Sequence, residues 1–384
     1  MNETAVDVTY MQRALELAKG GIGFVSPNPI VGCVIVKDGE IIGQGYHQQF
    51  GGPHAEVEAL RDAGSRARGA DLYVTLEPCC HTGKTPPCAD AVLRAGIRRV
   101  IVAVPDPHPL VAGGGLDRIR VAGVAVTLGV CEAEARRLNE TFFHYVATRR
   151  PFVTLKCAIT LDGKIATRTG ASRWITGAAA REEVHRMRHA ADALLVGLGT
   201  VVHDDPLLTT RLPNGGGVNP LRVVVDSTLQ LPAAAQLTTV TPHCRTLVAT
   251  TERASKTKQR QLEAQGVEIL RLQAYDDGRV DIEALLRVLG ERGVTSLLVE
   301  GGATLSATLL RRHLIDKLVM FVAPKIIGGD GLSVMGACGV ETMDQAILLH
   351  SMTSRHVGED LVLEAYFTPP DPSAGNAPGR AEEA

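Results

Sequence analysis

Residues 71–107 read DLYVTLEPCCHTGKTPPCADAVLRAGIRRVIVAVPDP, and this stretch decides the fold of the first part of the chain. DLYVTLEPC is a β-rich run that ends in Pro-Cys, CADAVLRAG has helical spacing and stops on glycine, and RRVIVAVPDP is a second β-rich run closed by prolines. Upstream, HAEVEALRDAG at 54–64 reads helical, and IVGCVIV and EIIGQGY flank Lys37-Asp38-Gly39, the signature of a hairpin. Strand and helix alternate, which predicts an α/β sheet covered by helices.

The pattern extends in both directions. Apolar spacing predicts a first helix over Tyr10 to Ala18, with Thr9 as N-cap and Gly20-Gly21 as the stop. Gly113 to Ala122, Val124 to Leu128 and Glu132 to Tyr145 continue as helix, strand and helix. Val-Ala-Thr-Arg-Arg-Pro at 146–151 ends on a helix breaker and marks a boundary. A second alternation follows: FVTLKCAIT, a helix over Ala178 to Ala190, ALLVGLGT, LRVVVD, RTLVAT, VEILRL, SLLVEGG and KLVMFVAPKII. The expected organisation is one domain over 1–147, another over 148–367, and a disordered tail over 368–384, which is rich in Pro, Gly, Ala and charge without periodicity.

Composition narrows the function classes. The 384 residues suit two or three domains at about 150 residues each. Forty basic against forty-two acidic residues give a net charge of −2, so no global field favours a polyanion, and no nucleic-acid partner is expected. No apolar run approaches the roughly 18 residues of a membrane span, and the N-terminus lacks a signal-length apolar segment, so no membrane partner and a cytoplasmic location are expected. A small-molecule substrate and a homo-oligomer are compatible with this composition. Of eight cysteines, Cys79, Cys80 and Cys88 crowd beside a His-rich segment, which reads as metal or catalysis rather than disulfides.

His54-Ala55-Glu56 opens one predicted helix, Pro78-Cys79 ends a strand and Cys88 starts the next helix. One imidazole and two thiolates make a catalytic zinc set that leaves a fourth position for water. Glu56, in the same first turn as His54, can carry the proton without being a ligand. These fragments together follow the H-x-E and P-C-x-x-C pattern of zinc deaminases, except that eight residues separate Cys79 from Cys88. A closed structural zinc site is the alternative, and Cys80 is a rival ligand, although adjacent cysteines chelate one tetrahedral ion poorly.

With HAE upstream and PNPIVGCVIVKDG before it, EPCCHTGKTPPC resembles the deaminase half of the bifunctional riboflavin-biosynthesis deaminase/reductase family, whose own spacing includes the long insert. The chain departs from that pattern at Cys80, where Ser is usual, and at His108, where Asn is usual. The resemblance implies a cytidine-deaminase-like three-layer domain, with Asn28 on the pyrimidine and His81 and Lys84 near a ribose phosphate.

Taken alone, the second half shows only a strand, two glycines and Thr304 at a helix start in VEGGATLSATLL, a geometry that can approach a phosphate. No G-x-G-x-x-G occurs. The ordered set LDGK, SRWIT, GTVVHDDPLLTTR, VVDS and VEGGATL is similar to the same family's reductase half. That implies a dihydrofolate-reductase-like domain using NADPH. Ala158, Trp174, Thr200, Asp204, Ser227, Gly302, Ala303, Thr304, Leu305, Ser306, Ala307 and Thr308 would face the nucleotide. Ser172, Arg188, Leu208, Arg211 and Glu300 would face the substrate. The implied activity is zinc-dependent deamination of a diaminopyrimidine ribosyl phosphate, then NADPH-dependent reduction of its ribosyl group. A nucleoside or nucleotide deaminase with a ligand-binding second domain is the runner-up, and a nucleic-acid editor is disfavoured by charge and by 4% aromatics.

Overall fold

The computed structural model describes residues 5–81, 86–108 and 111–368. Lys84 and nearly all of the expected tail lie outside the described residues. The chain divides into two compact units, one holding residues 1–151 with 286–295 and the other residues 152–285 with 296 onward.

The first unit runs α1 (Ala5–Ala18), β1 (Gly32–Lys37), β2 (Glu40–Tyr46), α2 (Ala55–Ala63), β3 (Asp71–Val74), α3 (Cys88–Ala95), β4 (Arg99–Val102), α4 (Gly114–Val121), β5 (Ala125–Leu128), α5 (Glu132–Leu138) and α6 (Glu140–Thr148). Its sheet has the order β2-β1-β3-β4-β5. β1 is antiparallel to both neighbours, and β3, β4 and β5 are parallel. The β1–β2 turn places Asp38 and Gly39 at φ of 53° and 82°, the paired left-handed conformation a tight hairpin needs. Fully buried Val34, Ile35, Leu72, Val100, Ile101 and Ile119 form its core.

Three local expectations are corrected. Thr9 is no N-cap: the helix begins earlier, and Thr9 Oγ1 donates to Ala5 O at 2.9 Å from inside it. The strand expected to reach Cys79 stops at Val74. Thr75 leaves the ladder to bond Gly32 through its backbone N–H and its hydroxyl. The helix expected over Glu132 to Tyr145 is broken at Asn139, which spends its amide on Ile30, accepting from Ile30 N at 2.7 Å and donating to Ile30 O at 2.8 Å. That break has a use, because it anchors the Pro27-Asn28-Pro29 turn from below.

The second unit runs β6 (Phe152–Thr160), β7 (Lys164–Ala166), α7 (Ala178–Ala190), β8 (Ala193–Gly197), α8 (Leu198–Asp204), β9 (Leu221–Val225), β10 (Thr246–Thr250), α9 (Lys256–Glu263), β11 (Glu268–Arg271), α10 (Ile282–Glu291), β12 (Ser296–Val299), α11 (Ala303–Arg311), β13 (Lys317–Ala323), β14 (Leu332–Ser333), β15 (His350–Val357) and β16 (Asp360–Tyr366). α10 straddles the division, since residues from 286 on count with the first unit. The large sheet has the order β11-β10-β9-β8-β12-β6-β13-β16-β15. Seven strands are parallel, and β16 and β15 add an antiparallel edge. The parallel strands are buried on both faces, so Leu194, Val224, Val248 and Leu298 sit in continuous apolar runs. The run expected as strand ALLVGLGT ends at Gly197, and Leu198 onward is helix.

Asn139→Leu strands two backbone groups of Ile30 at a position only 1% exposed. It is expected to lower stability by about 2–4 kcal/mol, read by urea unfolding.

Candidate functional site

In the first unit, two helix starts meet. His54 is the N-cap of α2 and Cys88 the first residue of α3. His54 Nδ1 lies 3.6 Å from Cys79 Sγ and 3.3 Å from Cys88 Sγ, and the three ligand atoms lie within 4.8 Å of one another. Tetrahedral zinc with its usual bond lengths needs N···S separations of about 3.5 Å, so this set fits the metal. The start of α3 also holds Cys79 directly: Cys88 N donates to Cys79 Sγ at 3.3 Å and Ala89 N to Cys79 O at 3.1 Å. Hydrogen bonds from Cys88 and His54 pull the Cys79 thiol well down, toward thiolate. Cys80 is outside this group; its sulfur faces Val111 O at 3.9 Å. None of the eight cysteines is joined in a disulfide.

Beside the tripod lies a cavity of about 300 Å³. Glu56 lines it, and burial pushes its carboxyl up to about 7. Asn28 and His81 line it too, His81 as an exposed residue of the wall. His47, Asp106 and Phe50 are among the wall residues that escaped sequence reasoning. His47 Nδ1 faces Pro53 O at 2.9 Å, an atom that can only accept, so Nδ1 carries the proton and Nε2 accepts from Asn28 Nδ2 at 3.2 Å. That bond uses the amide nitrogen of Asn28 and not its oxygen. Burial lowers the His47 pKa. Burial likewise pushes Asp106 up to about 6.

The residue that sequence reasoning missed most completely is Glu77, 3% exposed and two positions before Cys79. Its Oε2 accepts from Asp106 N at 3.2 Å and Gly113 N at 3.1 Å, and its Oε1 from Gly115 N at 3.0 Å and Leu116 N at 3.2 Å. The N–H groups at the start of α4 have no partners within their own helix, and a carboxylate there is favoured by the helix dipole. Gly115 permits this approach, since a Cβ there would sit 1.9 Å from Pro78 O. The available signal was an acid before Pro-Cys together with the Gly113-Gly114-Gly115 run.

The second unit carries a larger cavity of about 950 Å³, outside the carboxyl ends of its parallel strands. Ala158, Thr200, Asp204, Ser227, Gly302, Ala303, Thr304, Leu305 and Thr308 line it, as do Ser172 and Glu300. Trp174, 63% exposed, is not on that wall, and Ser306 and Ala307 are buried within α11. Arg188 grips Glu300 with two bonds, Nε to Oε1 at 2.7 Å and Nη2 to Oε2 at 2.9 Å, and donates through Nη1 to Thr209 O at 3.1 Å. Burial alone would raise the Glu300 carboxyl, but the Arg188 charge and hydrogen bonds outweigh it and bring it to about 2. Leu208 is buried at φ 50°, and Arg211 stays exposed with its backbone N–H on His185 Nδ1. Lys156, which the sequence reading did not select, lines the cavity and contributes to holding Glu300 ionised.

Two outcomes follow from these buried charges. Glu77→Gln turns an amide donor toward backbone donors and is expected to weaken metal retention about 10–100-fold in a chelator competition. Glu300→Gln leaves Arg188 buried without its counter-charge and should cost about 3 kcal/mol at neutral pH. The Glu300 carboxyl titrates at about 2 in the folded chain, below the about 4.3 of a free Glu. Its stabilisation is therefore complete above about pH 5 and lost as pH falls through 2, so urea unfolding curves of variant and parent should converge in acid.

Comparison with known proteins agrees with this architecture. Residues 4–104 match the family model for the cytidine and deoxycytidylate deaminase zinc-binding region, and residues 151–363 match that for the RibD C-terminal domain. The riboflavin biosynthesis protein RibD of Actinobacillus pleuropneumoniae is 43% identical over 369 residues, covering 96% of this chain and 97% of its own. The solved structure of Acinetobacter baumannii RibD superposes with a TM-score of 0.84 at 40% identity, covering 95% of this chain and 99% of that one. A diaminohydroxyphosphoribosylaminopyrimidine deaminase/5-amino-6-(5-phosphoribosylamino)uracil reductase from Thermotoga maritima gives 0.81 at 40% identity, covering 94% and 98%. With a cytidine-deaminase-like unit followed by a dihydrofolate-reductase-like unit, the chain belongs to the RibD family of bifunctional riboflavin-biosynthesis deaminase/reductases.

Proposed function

We propose that the chain deaminates a diaminohydroxyphosphoribosylaminopyrimidine in its first unit and reduces the resulting 5-amino-6-(5-phosphoribosylamino)uracil in its second, the two reactions named for the Thermotoga maritima protein. The observation that carries this reading is the His54, Cys79 and Cys88 tripod, of which His54 and Cys79 line a cavity that also holds Glu56. A zinc ion held by these three would make a water molecule acidic enough to lose a proton near neutral pH. Glu56 takes that proton and passes it to the ring nitrogen as oxygen adds to the adjacent carbon; it then takes the second proton, from the added hydroxyl, and gives it to the departing amine, so ammonia leaves and a carbonyl oxygen replaces it. Asn28, oriented by His47, accepts a bond from the ring, and His81 meets the phosphate.

In the second unit NADPH supplies the reducing hydrogen. Gly302 to Leu305 bring the start of α11 to the cavity, where first-turn N–H groups suit a phosphate. Glu300 holds ribose hydroxyls, while Arg211 and Ser172 hold the ribose phosphate through charge-assisted bonds. With the sugar ring opened to the C1=N imine, hydride adds to C1 and a proton from solvent to the nitrogen, which gives the ribityl product. A cytoplasmic setting fits eight cysteines that stay outside disulfides. Self-association fits the edge strand β15, exposed along most of its length with Met352 outward.

Glu56→Gln is expected to lower ammonia release by at least about 10³-fold while the variant still oxidises NADPH on supplied deaminated substrate. Undiminished ammonia release from that variant would remove Glu56 from the proton path.

A further inference from the structure

The reductase cavity crosses the carboxyl ends of β6, β12, β8 and β9, which are adjacent and parallel in the sheet. Neighbouring strands lie about 4.8 Å apart, so the floor from β6 to β9 spans three spacings, about 14 Å. The two ends differ in chemistry. At the β6 end stand Lys156, Ala158 and Glu300; at the β9 end stand Ser227, Thr228 and Arg279. Between them lies the start of α11.

Three basic side chains line this cavity: Lys156, His203 and Arg279. Lys156 stands beside Glu300, and His203 spends Nδ1 on Gly199 O at 2.7 Å. Arg279 is the cation at the far end. It is carried by a tight turn in which Tyr275 N donates to Arg279 O at 2.7 Å and Gly278 N to Tyr275 O at 2.8 Å. The next residue fastens this turn to the end of β9, since Val280 N donates to Ser227 Oγ at 3.1 Å. Arg279 itself faces Asp277 at 3.6 Å, with both side chains about half exposed. An exposed ion pair of this kind is worth little, so a dianion can displace it.

We infer that Arg279, with the hydroxyls of Ser227 and Thr228, binds the 2′-phosphate of the nicotinamide dinucleotide and so selects the phosphorylated form over the unphosphorylated one. This rests on the reading that the second unit reduces with such a dinucleotide. The competing group is Asp226, because an acid at the end of a strand can instead accept from a free ribose 2′-hydroxyl and repel phosphate. Asp226 also lines the cavity but is 2% exposed: its Oδ2 accepts from Leu231 N at 2.7 Å, and its Oδ1 is buried without a hydrogen-bond partner, so neither oxygen is presented at the surface. Ser227, Thr228 and Arg279 are the more exposed groups at that end.

The test uses the full chain and two probes, 2′,5′-ADP and 5′-AMP, with affinities measured by calorimetry for the parent, Arg279→Gln and Arg279→Lys. Loss of a charge-assisted contact should weaken 2′,5′-ADP about 10–100-fold in Arg279→Gln, with partial recovery in Arg279→Lys and no change for 5′-AMP. In turnover, KM for NADPH should rise by a similar factor with kcat retained, and KM for NADH should not move. Equal losses for both probes, or no loss for either, would overturn the assignment of Arg279 while leaving the reductase reading intact. A parent chain that binds neither probe and oxidises no NADPH on deaminated substrate would overturn both.

Discussion

A carboxylate sealed from water must be met by donors, and the deaminase centre is built on the way Glu77 meets this demand. Four backbone N–H groups, three of them at or beside the start of α4, converge on its two oxygens. Burying the charge without them would cost several kcal/mol. With them, the segment Glu77-Pro78-Cys79 has one position, fixed against α4 on one side and α3 on the other. Cys79 reaches His54 and Cys88 only because that segment cannot shift. The metal ligands are thus the visible part of a backbone arrangement whose keystone, Glu77, stands outside the ligand set.

The second unit obeys the same rule with different partners. Glu300 leaves the end of β12 at the cavity wall and stays ionised because Arg188, reaching over from α7, offers two parallel bonds. Arg188 also holds Thr209 O, so the same guanidinium fixes the segment that carries Leu208 and Arg211. A planar fork of donors does this where a lysine would satisfy only one contact at a time. In both units the chemistry lies at strand or helix ends, where backbone groups lack partners and charge can be placed at low cost.

How much of this was legible follows from the range of the interactions. His54, Glu56 and Cys88 could be read because each lies at the start of a periodic helix, and sequence spacing fixes such positions. Their assembly with Cys79 was legible as a motif. Glu77, His47, Asp106 and Lys156 were not, because their roles arise from partners brought together by the fold: Glu77 bonds residues 29 to 39 positions away. Asn139 looked like an ordinary helix residue because its partner, Ile30, is 109 positions earlier. The β15–β16 hairpin lacked a clear signal because its outer strand is almost wholly exposed and shows no alternation of buried and exposed residues. In the reductase unit the set of nucleotide-facing positions came from family resemblance, and the cavity wall separates Thr304 and Thr308, which line it, from Ser306 and Ala307, which face the core.

Two chemistries in order on one chain make the central claim, and mass spectrometry of the diaminopyrimidine ribosyl phosphate incubated with the full chain tests it most directly. Without NADPH the substrate should exchange one amine for oxygen and change no further; with NADPH the same product should then gain two hydrogens. Gain of hydrogen without loss of the amine, or loss of the amine with no NADPH-dependent step afterward, would contradict it.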